Sequence, residues 1–353
     1  MINILGGGLS GLSAAINLAK EGEAVTVYEK RNDIGGQIKP NYQAVSKIGD
    51  NINKYLNSLN LNPDFDVTLI SKAYICTRKR DIFVSLAESS ALVLRGGKTS
   101  LEYGLYKEAK SLGVKFEFNS NKKENEVDIV AIGPKWCDAV AFGAVYENLN
   151  FEKDCFLNMY DERFSPTGWY LYIVPFPDGK FEVINCVSQP YVSQVKKLFF
   201  AAIKEREILK EIIGENKPIH YFGGFGGVAM PKSAVVCGRI YIGESAGFQD
   251  SFRGFGIKYA LESGYLAAKS IVHNKDYDKL WKKRFKKELK KSFSRRFAIT
   301  LLKDKLPEFY FRNIKDNDVV DFRKETPKGI VIDVLEELCY RLEFVRKRVT
   351  GHW

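Results

Sequence analysis

The chain has 353 residues, of which 45% are hydrophobic and 27% charged, and it carries a formal net charge of +11 at pH 7. This composition is that of a soluble globular protein with about two or three domains, and it excludes a disordered or collagen-like chain. Six cysteines lie far apart without a C-x-x-C pair, only three histidines occur, and no stretch approaches the roughly 18 apolar residues of a membrane span. We therefore expect a cytoplasmic protein without a disulfide framework or a metal site.

The amino terminus predicts a strand, a glycine turn and a helix. The apolar run Ile2–Leu5 enters a glycine-rich turn, and the apolar-periodic stretch Leu12–Lys20 follows. The turn fits the pattern G-x-G-x-x-G, in which the first glycine makes the tight turn, the second lets backbone amides approach a pyrophosphate, and the third lets the helix pack on the strand. The helix start supplies an anion site. The candidate dinucleotide-binding residues are Gly6, Gly8, Leu9, Ser10 and Gly11.

A second strand, Ala24–Tyr28, ends at an acid that lies eighteen positions beyond the last of these glycines. An acid at this place can hold the ribose hydroxyls of a dinucleotide. A basic pair and a Gly-Gly pair follow, and here the sequence resembles the FAD-dependent oxidoreductases, in which the Gly-Gly pair lets the chain run along the FAD pyrophosphate. The resemblance implies FAD rather than NAD as the cofactor. The matching residues are Glu29, Lys30, Arg31, Gly35 and Gly36.

From residue 136 to 232 the pattern changes to alternating, aromatic-rich strands. The strands at 168–176 and 180–187 are joined by Pro177-Asp178-Gly179, which predicts an antiparallel hairpin. One helix is predicted near 192–213. This region indicates a substrate domain that is inserted ahead of the last cofactor segment.

Residues 240–264 predict a strand that ends in Gly-acid, a loop, and a helix that begins at a glycine pair. The acid can accept a hydrogen bond from a ribityl hydroxyl, and the helix start presents amides and a positive dipole end. This arrangement resembles the geranylgeranyl reductase branch of the flavoproteins with the aromatic-hydroxylase fold, which carries Gly-Asp-Ala-Ala-Gly-Phe and then Gly-x-Gly-Ile-x-x-Ala-x-x-Ser-Gly. This chain departs from that pattern with Glu in the place of Asp. The matching residues are Glu244, Gly247, Phe248, Gly254, Gly256 and Ile257.

The resemblance implies roles for two further segments. The family places an arginine near the flavin ribityl and pyrophosphate, just before a helix, and Arg95 has that position. Its substrate motif Y-x-W-x-F-P lines an apolar channel for a polyprenyl chain, and residues 170–175 match it with Tyr for Trp and Val for Phe. Aromatic residues that alternate along a strand are also ordinary core or sheet surface, and flavin halogenases carry a similar W-x-W-x-I-P strand. The candidate substrate residues are Tyr170, Tyr172, Val174 and Pro175.

The positive charge is concentrated near the carboxyl terminus. Residues 275–305 contain thirteen Lys or Arg and four Asp or Glu, which is +9 of the total of +11. A helix is predicted at 276–306, with an apolar stripe at four-residue spacing on a cationic surface. Such a helix can lie on an anionic membrane surface, or it can pack its stripe on the protein and leave its lysines in water, and the sequence leaves both open. The stripe consists of Trp281, Phe285, Leu289, Phe293 and Phe297.

The motifs together predict an α/β protein, α+β overall, with a Rossmann-like FAD-binding domain, an inserted antiparallel-sheet substrate domain and carboxyl-terminal helices. The first part of the FAD-binding domain is expected at 1–135, with a small strand-rich excursion at about 65–95. The substrate domain is expected at 136–232, the last part of the FAD-binding domain at 233–274, and the helical region at 275–353.

The function that the resemblance implies is reduction of carbon-carbon double bonds in an apolar isoprenoid or lipid, by hydride transfer from reduced flavin. Only one dinucleotide fingerprint is present, so we expect the electron donor, NAD(P)H or ferredoxin, to bind transiently. The sequence assigns no catalytic residue. Two alternatives stay open: a flavin-dependent monooxygenase of the same fold, and a non-catalytic flavin-binding protein at a membrane surface. Nucleic acid is not expected as a partner, since a cofactor enzyme explains the other motifs.

Overall fold

The computed structural model describes residues 1–36, 39–45, 51–227 and 231–321. Residues 322–353 of the predicted carboxyl-terminal helical region lie outside the described residues. The helices within the described ranges are α1 (Leu9–Lys20), α2 (Ile52–Ser58), α3 (Leu101–Ser111), α4 (Val195–Glu205), α5 (Glu207–Ile213), α6 (Ile257–Val272), α7 (Tyr277–Leu302) and α8 (Lys305–Phe311). The strands are β1 (Ile2–Leu5), β2 (Val25–Tyr28), β3 (Asn41–Ala44), β4 (Val67–Cys76), β5 (Asp81–Arg95), β6 (Lys115–Glu117), β7 (Ile129–Val130), β8 (Ala139–Glu147), β9 (Cys155–Met159), β10 (Leu171–Pro175), β11 (Lys180–Ser188), β12 (His220–Gly226), β13 (Val235–Val236), β14 (Arg239–Tyr241) and β15 (Asp318–Val320).

The chain divides into two compact units, each assembled from separate segments. Unit 1 contains residues 1–67, 93–136 and 227–292, and unit 2 contains 68–92, 137–226 and the described residues from Phe293 onward. This division differs from the sequence boundaries at three places, one of which is that unit 1 resumes at Gly227 and not at residue 233. Residues 68–92 belong to unit 2, because β4 and β5 pair with β9 and β15. Unit 1 ends inside α7, at Ser292, and not near residue 274.

The first sheet lies in unit 1 and has the strand order β13-β14-β7-β1-β2-β6. Its central strand β1 pairs in parallel with β2 and β7, so that Ile4 lies opposite both Val27 and Ile129. Strands in parallel sheets are apolar on both faces because helices cover those faces. Leu12 and Ile16 of α1 are fully buried in this way. The structure confirms the predicted Rossmann-like α/β class.

The second sheet has the strand order β12-β8-β11-β10-β9-β4-β5-β15, with β3 also paired to β5. Strands β10 and β11 form the predicted antiparallel hairpin, with Tyr172 opposite Ile184. On one face of this hairpin, Leu171, Ile173 and Val183 belong to a core cluster that also contains Phe199 of α4. Apolar residues at alternate positions thus cover one face of the sheet, as the period of two requires.

The predicted helix at 192–213 is observed as two helices, α4 and α5, which meet at Arg206. Arg206 leaves helical geometry with a ψ of 120°. Its guanidinium group donates hydrogen bonds to the carbonyl oxygen of Thr77 at 3.1 Å and to the carboxylate of Asp81. These partners lie more than a hundred positions away in the chain, so local periodicity carries no signal of the break.

Helix α7 packs most of its apolar stripe on the protein. Trp281, Phe285 and Leu289 are each at most 3% exposed. The Trp281 and Phe285 rings lie 4.9 and 5.0 Å from the ring of Phe248. Phe293 is also buried, and Phe297 is half-buried. The sequence left open whether this apolar stripe lies on a membrane or packs on the protein; most of the stripe packs on the protein. Within the described ranges, no helix is both long and apolar enough to span a membrane.

Candidate functional site

The turn between β1 and α1 requires glycine where the backbone is crowded and leaves space where a ligand can enter. Gly6 has a φ of +108°, and a Cβ there would overlap the carbonyl oxygen of Ala131. A Cβ on Gly11 would overlap the carbonyl oxygen of Gly6. A Cβ on Gly8, by contrast, would meet no atom within 4 Å. The first and third glycines of the motif are thus needed for packing, and the second faces open space.

Helix α1 begins beside that open space without a side-chain cap. Gly8 is its N-cap residue and, as a glycine, has no side chain that could cap the first turn. The first amides of a helix have no partner within the helix and carry its positive dipole end. Leu9 and Ser10 begin this turn and are buried. The geometry fits a pyrophosphate, which would accept hydrogen bonds from these amides.

Glu29 lies at the end of β2, beside the same turn. Its Oε2 accepts a hydrogen bond from the Gly7 amide at 2.8 Å, and its Oε1 accepts one from the Arg31 amide at 3.0 Å. The side chain is half-buried, so its oxygens can also accept from ribose hydroxyls. Lys30 and Arg31 are exposed. Glu29 therefore has the place that the sequence predicts for a ribose-binding acid.

The Gly-Gly pair and Arg95 meet at a buried acid that the sequence did not single out. Glu102, in the first turn of α3, is 3% exposed and accepts hydrogen bonds from Nε of Arg95 at 2.8 Å and from the Gly96 amide at 2.7 Å. A Cβ on Gly35, whose φ is +77°, would lie 3.3 Å from Cγ of Glu102. Arg95 is thus oriented by Glu102. The signal available in the sequence was an acid at the start of the helix that follows this arginine.

The second cofactor segment places Glu244 in a short turn at the end of β14. The turn, Gly243–Ala246, ends at Gly247 in the left-handed conformation. Burial raises the pKa of Glu244 to about 7, and the positive charge of Arg95 acts in the opposite direction. The position of a Cβ on Gly256 lies 3.2 Å from Oε1 of Glu244. Arg95, Glu244 and the start of α6 therefore lie close together.

Helix α6 begins like α1, with a glycine N-cap and no side-chain cap. Gly256 is the N-cap, and Ile257 is the first, buried residue of the helix. Gly254 precedes it with a φ of +79°. Phe248 lies fully buried against α7, so that the structure gives its ring a packing role. Contact of Phe248 with a cofactor remains a prediction.

Helices α1 and α6 cross at small residues, and this crossing brings the two predicted cofactor segments together. A Cβ on Gly264 would overlap the carbonyl oxygen of Ser10. The Ser13 hydroxyl donates a hydrogen bond to the carbonyl oxygen of Leu261 at 2.8 Å. The Gly243 amide donates to the hydroxyl of Ser263 on α6 at 2.8 Å. The start of α1 thus lies beside the middle of α6 and beside the turn at Gly243, within unit 1.

The predicted substrate strand lies in unit 2, and its alternate residues divide between two environments. Leu171 and Ile173 belong to the core cluster described above, so the side chains of Tyr172 and Val174 lie on the opposite face of β10. Val174 is 7% exposed and lies opposite the fully buried Glu182 in the strand register. Pro175 ends the strand.

Aromatic rings gather around Tyr170. The Tyr170 ring lies 5.7 Å from that of Tyr172 and 5.6 Å from that of Tyr160. Burial raises the pKa of Tyr172 well above its usual range, and the neighbouring Cys186 and Glu182 raise it further. Tyr172 therefore stays protonated at neutral pH and can act as a hydrogen-bond donor. In the part of the chain that the structure describes, no three His, Cys, Asp or Glu side chains are grouped to hold a metal ion.

Comparisons with known proteins agree with this fold. Residues 4–51 match the model of the NAD(P)-binding Rossmann-like domain family. A search of curated proteins finds no match to the sequence. A geranylgeranyl bacteriochlorophyll reductase-like protein from Thermoplasma acidophilum has a similar structure, with a TM-score of 0.72 and 19% identity over 98% of this chain and 97% of that one.

Flavin-dependent halogenating enzymes are also similar in structure. The brominase Bmp2 has a TM-score of 0.66 at 15% identity, over 99% of this chain and 97% of its own. The halogenase CmlS has a TM-score of 0.64 at 13% identity, over 99% of this chain and 71% of its own. At these identities the likeness establishes the fold, and this chain has the fold that these reductase-like and halogenating flavoproteins share.

Proposed function

We propose that the protein is an FAD-dependent oxidoreductase that reduces carbon-carbon double bonds of an apolar isoprenoid or lipid substrate. The cofactor assignment rests on two helices that contact each other, α1 and α6, each of which begins at a glycine without a side-chain cap. Glu29 lies beside the first of these starts, and Glu244, with Arg95 near it, lies beside the second. A dinucleotide has two phosphates and several hydroxyls, and this site offers amides and a cation for the former and carboxylates for the latter.

The residues present fit FAD better than a nicotinamide dinucleotide alone. A Rossmann unit needs the first glycine turn and its acid, both of which a nicotinamide cofactor would also use. The turn at Glu244 lies near Arg95 and near the start of α6. It therefore adds a carboxylate acceptor, a cation and helix amides at a second position in unit 1. FAD has a ribityl chain and a flavin ring to occupy such a place.

The choice of an apolar substrate is supported by the second face of the hairpin in unit 2. Tyr172, Val174 and Ile184 lie on that face, which is the place where the resembling reductases have their substrate motif. Apolar and aromatic side chains bind a hydrocarbon chain by removing its surface from water. The higher TM-score of the reductase-like protein supports the same choice.

The chain's own residues bind and orient, and the cofactor carries the redox chemistry. FAD, once bound and reduced by two electrons from the electron donor, would supply a hydride to one alkene carbon and return to its oxidised form, and a proton added to the other carbon would complete the reduction. The amides at the starts of α1 and α6 hold phosphates, and Glu29 accepts from ribose hydroxyls. Glu244 accepts from a ribityl hydroxyl. Tyr170, Tyr172 and water bound beside the flavin are the candidate proton donors.

The electron donor and other partners are part of the proposal. NAD(P)H or ferredoxin would have to bind transiently, because the sequence contains a single dinucleotide fingerprint. Anionic lipid is a further candidate partner of the basic segment 276–306. Its contact would use lysines, since most of the apolar stripe of α7 is buried.

The test is anaerobic. Purified protein is examined for flavin absorbance, reduced with NAD(P)H or reduced ferredoxin without oxygen, and supplied with an unsaturated isoprenoid. A mass increase of two hydrogens per reduced bond supports the proposal. Protein that retains no FAD contradicts the cofactor assignment. FAD that no donor reduces would point to a non-catalytic flavin-binding protein.

A flavin-dependent monooxygenase is the second candidate, and the similarity to halogenating flavoproteins favours it. The same experiment separates the two functions. A reductase continues to turn over without oxygen, whereas a monooxygenase stops and resumes when oxygen is admitted.

A further inference from the structure

The loop between the turn at Glu244 and helix α6 is held by a buried carboxylate. Asp250 is 3% exposed, and its Oδ1 accepts hydrogen bonds from the amides of Phe252 at 2.9 Å and Arg253 at 3.0 Å. The same oxygen accepts a third hydrogen bond from the hydroxyl of Ser292 on α7. A buried charge is tolerated when hydrogen bonds surround it in this way.

Ser292 also contacts the loop backbone directly. It is 3% exposed, and its Oγ accepts a hydrogen bond from the Phe252 amide at 2.9 Å. The Ser251 hydroxyl lies 3.2 Å from the same atom. One hydroxyl on α7 thus links three consecutive residues of the loop, Asp250, Ser251 and Phe252.

This contact is the last in a row along one face of α7. Residues 278, 281, 285, 288 and 292 follow the three- and four-residue spacing of a single helix face. At the start of the row, Asp278 accepts a hydrogen bond from the Ala234 amide at 2.8 Å. Further on, Glu288 pairs with the buried Lys258 of α6 at 2.6 Å. This face therefore follows the second cofactor segment from before β13 to the first turn of α6.

We propose that Ser292 is a positioning residue for the cofactor. Through Asp250 it fixes the loop that carries Gly254 and Gly256 to the start of α6, whose amides are to bind the cofactor. A loop with two glycines has many conformations in the absence of such an anchor, and ordering it on binding costs conformational entropy. An anchored loop is already ordered in the folded protein, so cofactor binding does not carry this entropy cost; the loop is preorganised. The inference rests on the proposed FAD site.

The test compares two buried serines on neighbouring helices. Ser292→Ala removes the anchor, and we expect it to weaken FAD binding by about tenfold, since a hydrogen bond to a charged group contributes about 1.5 kcal/mol. Ser270→Ala is the control, because Ser270 is 4% exposed and its hydroxyl donates a hydrogen bond to the Ala267 carbonyl of its own helix, at 2.7 Å. Its FAD affinity should equal that of the wild type. The dissociation constant is measured on FAD-free protein by quenching of flavin fluorescence, with urea unfolding as the check on folding.

A double-mutant cycle tests the route through Asp250. Asp250→Asn also weakens FAD binding, and Ser292→Ala should add less than twofold in that background, because the partner of the hydroxyl has changed. Independent, multiplying losses would contradict coupling through Asp250. Wild-type affinity of Ser292→Ala would overturn this inference and leave the proposed function intact. Absence of FAD binding in the wild type would overturn both.

Discussion

Units 1 and 2 place their candidate functional residues by different physical means. In unit 1 the site is made largely of backbone: a Cβ on Gly6, Gly11 or Gly264 would overlap a carbonyl oxygen, and two helices begin without side-chain caps. In unit 2 the predicted substrate strand β10 has regular strand geometry, and the environment of its candidate residues is set by neighbouring side chains. A site made of backbone leaves a glycine pattern in the sequence, whereas a site made of side chains leaves none that is specific.

We expect the largest loss of stability from a substitution in the buried ion network of unit 2. Arg206 is 8% exposed, and it pairs with Asp81 and with the 2% exposed Asp161. Arg206→Met should lower the free energy of unfolding by about 3 kcal/mol, because it removes the buried partner of Asp81 and leaves Asp161 paired with Arg163. Urea unfolding measures this loss, and a second variant, Lys210→Met, removes an exposed cation from α5 as the control. A loss under 1 kcal/mol would show that side-chain networks do not hold unit 2.

Two glycines of one turn should behave differently in unit 1. Gly11→Ala forces a Cβ against the Gly6 carbonyl and should destabilise the FAD-free protein by about 1–3 kcal/mol. Gly8→Ala meets no atom within 4 Å, so stability should hardly change, while the methyl group obstructs the pyrophosphate and weakens FAD binding. Urea unfolding and FAD titration separate the two effects. Equal stability of both variants, or unchanged FAD affinity of Gly8→Ala, would contradict a site that depends on backbone approach.

Glu244 should make the stability of unit 1 depend on pH. Its pKa is raised to about 7 in the folded protein from 4.5, so the protonated form favours folding, and that contribution is lost as pH rises from about 5 towards 8. Because the residue as a whole is half-buried and solvent screens part of this effect, we expect a loss of about 1–3 kcal/mol. In Glu244→Gln, this loss of unfolding free energy with rising pH should be absent. Parallel pH profiles of wild type and variant in urea unfolding would contradict the assignment.

We expect the smallest effect from neutralising lysines of α7, and the quantity affected is binding to anionic lipid. Lys279→Gln, Lys283→Gln and Lys287→Gln together neutralise exposed positions of α7. Any contact with anionic lipid should weaken by about 1 kcal/mol for each lysine and should vanish at high salt. The matched control neutralises the exposed Lys196, Lys197 and Lys204 of unit 2. If the two triple variants bind liposomes equally in flotation, the hypothesis that α7 contacts a membrane is contradicted.

The sequence predicted the parts of the fold that depend on local pattern. The strand, turn and helix at the amino terminus, the hairpin of β10 and β11 and the helix at α7 follow from glycine position and hydrophobic period. The break at Arg206 could not be predicted, because partners from two distant strands and loops cause it. Ser292 was missed for the same reason, because only the folded chain brings it near Asp250. Glu102 is different: it lies seven positions after Arg95, so its spacing was available in the sequence, but the spacing alone does not show that the two side chains pair.

The interleaving of the two units has a consequence for how the chain folds. Helix α1 needs α6 as its packing partner, and the hydrogen bond from Ser13 to Leu261 spans 248 positions. During synthesis, the amino-terminal strand and turn must therefore wait until most of the chain has been made before their core is complete. Contacts of such long range slow folding and leave apolar surface exposed meanwhile. Truncation before α6 should thus yield an aggregation-prone fragment, although that fragment retains the entire glycine motif.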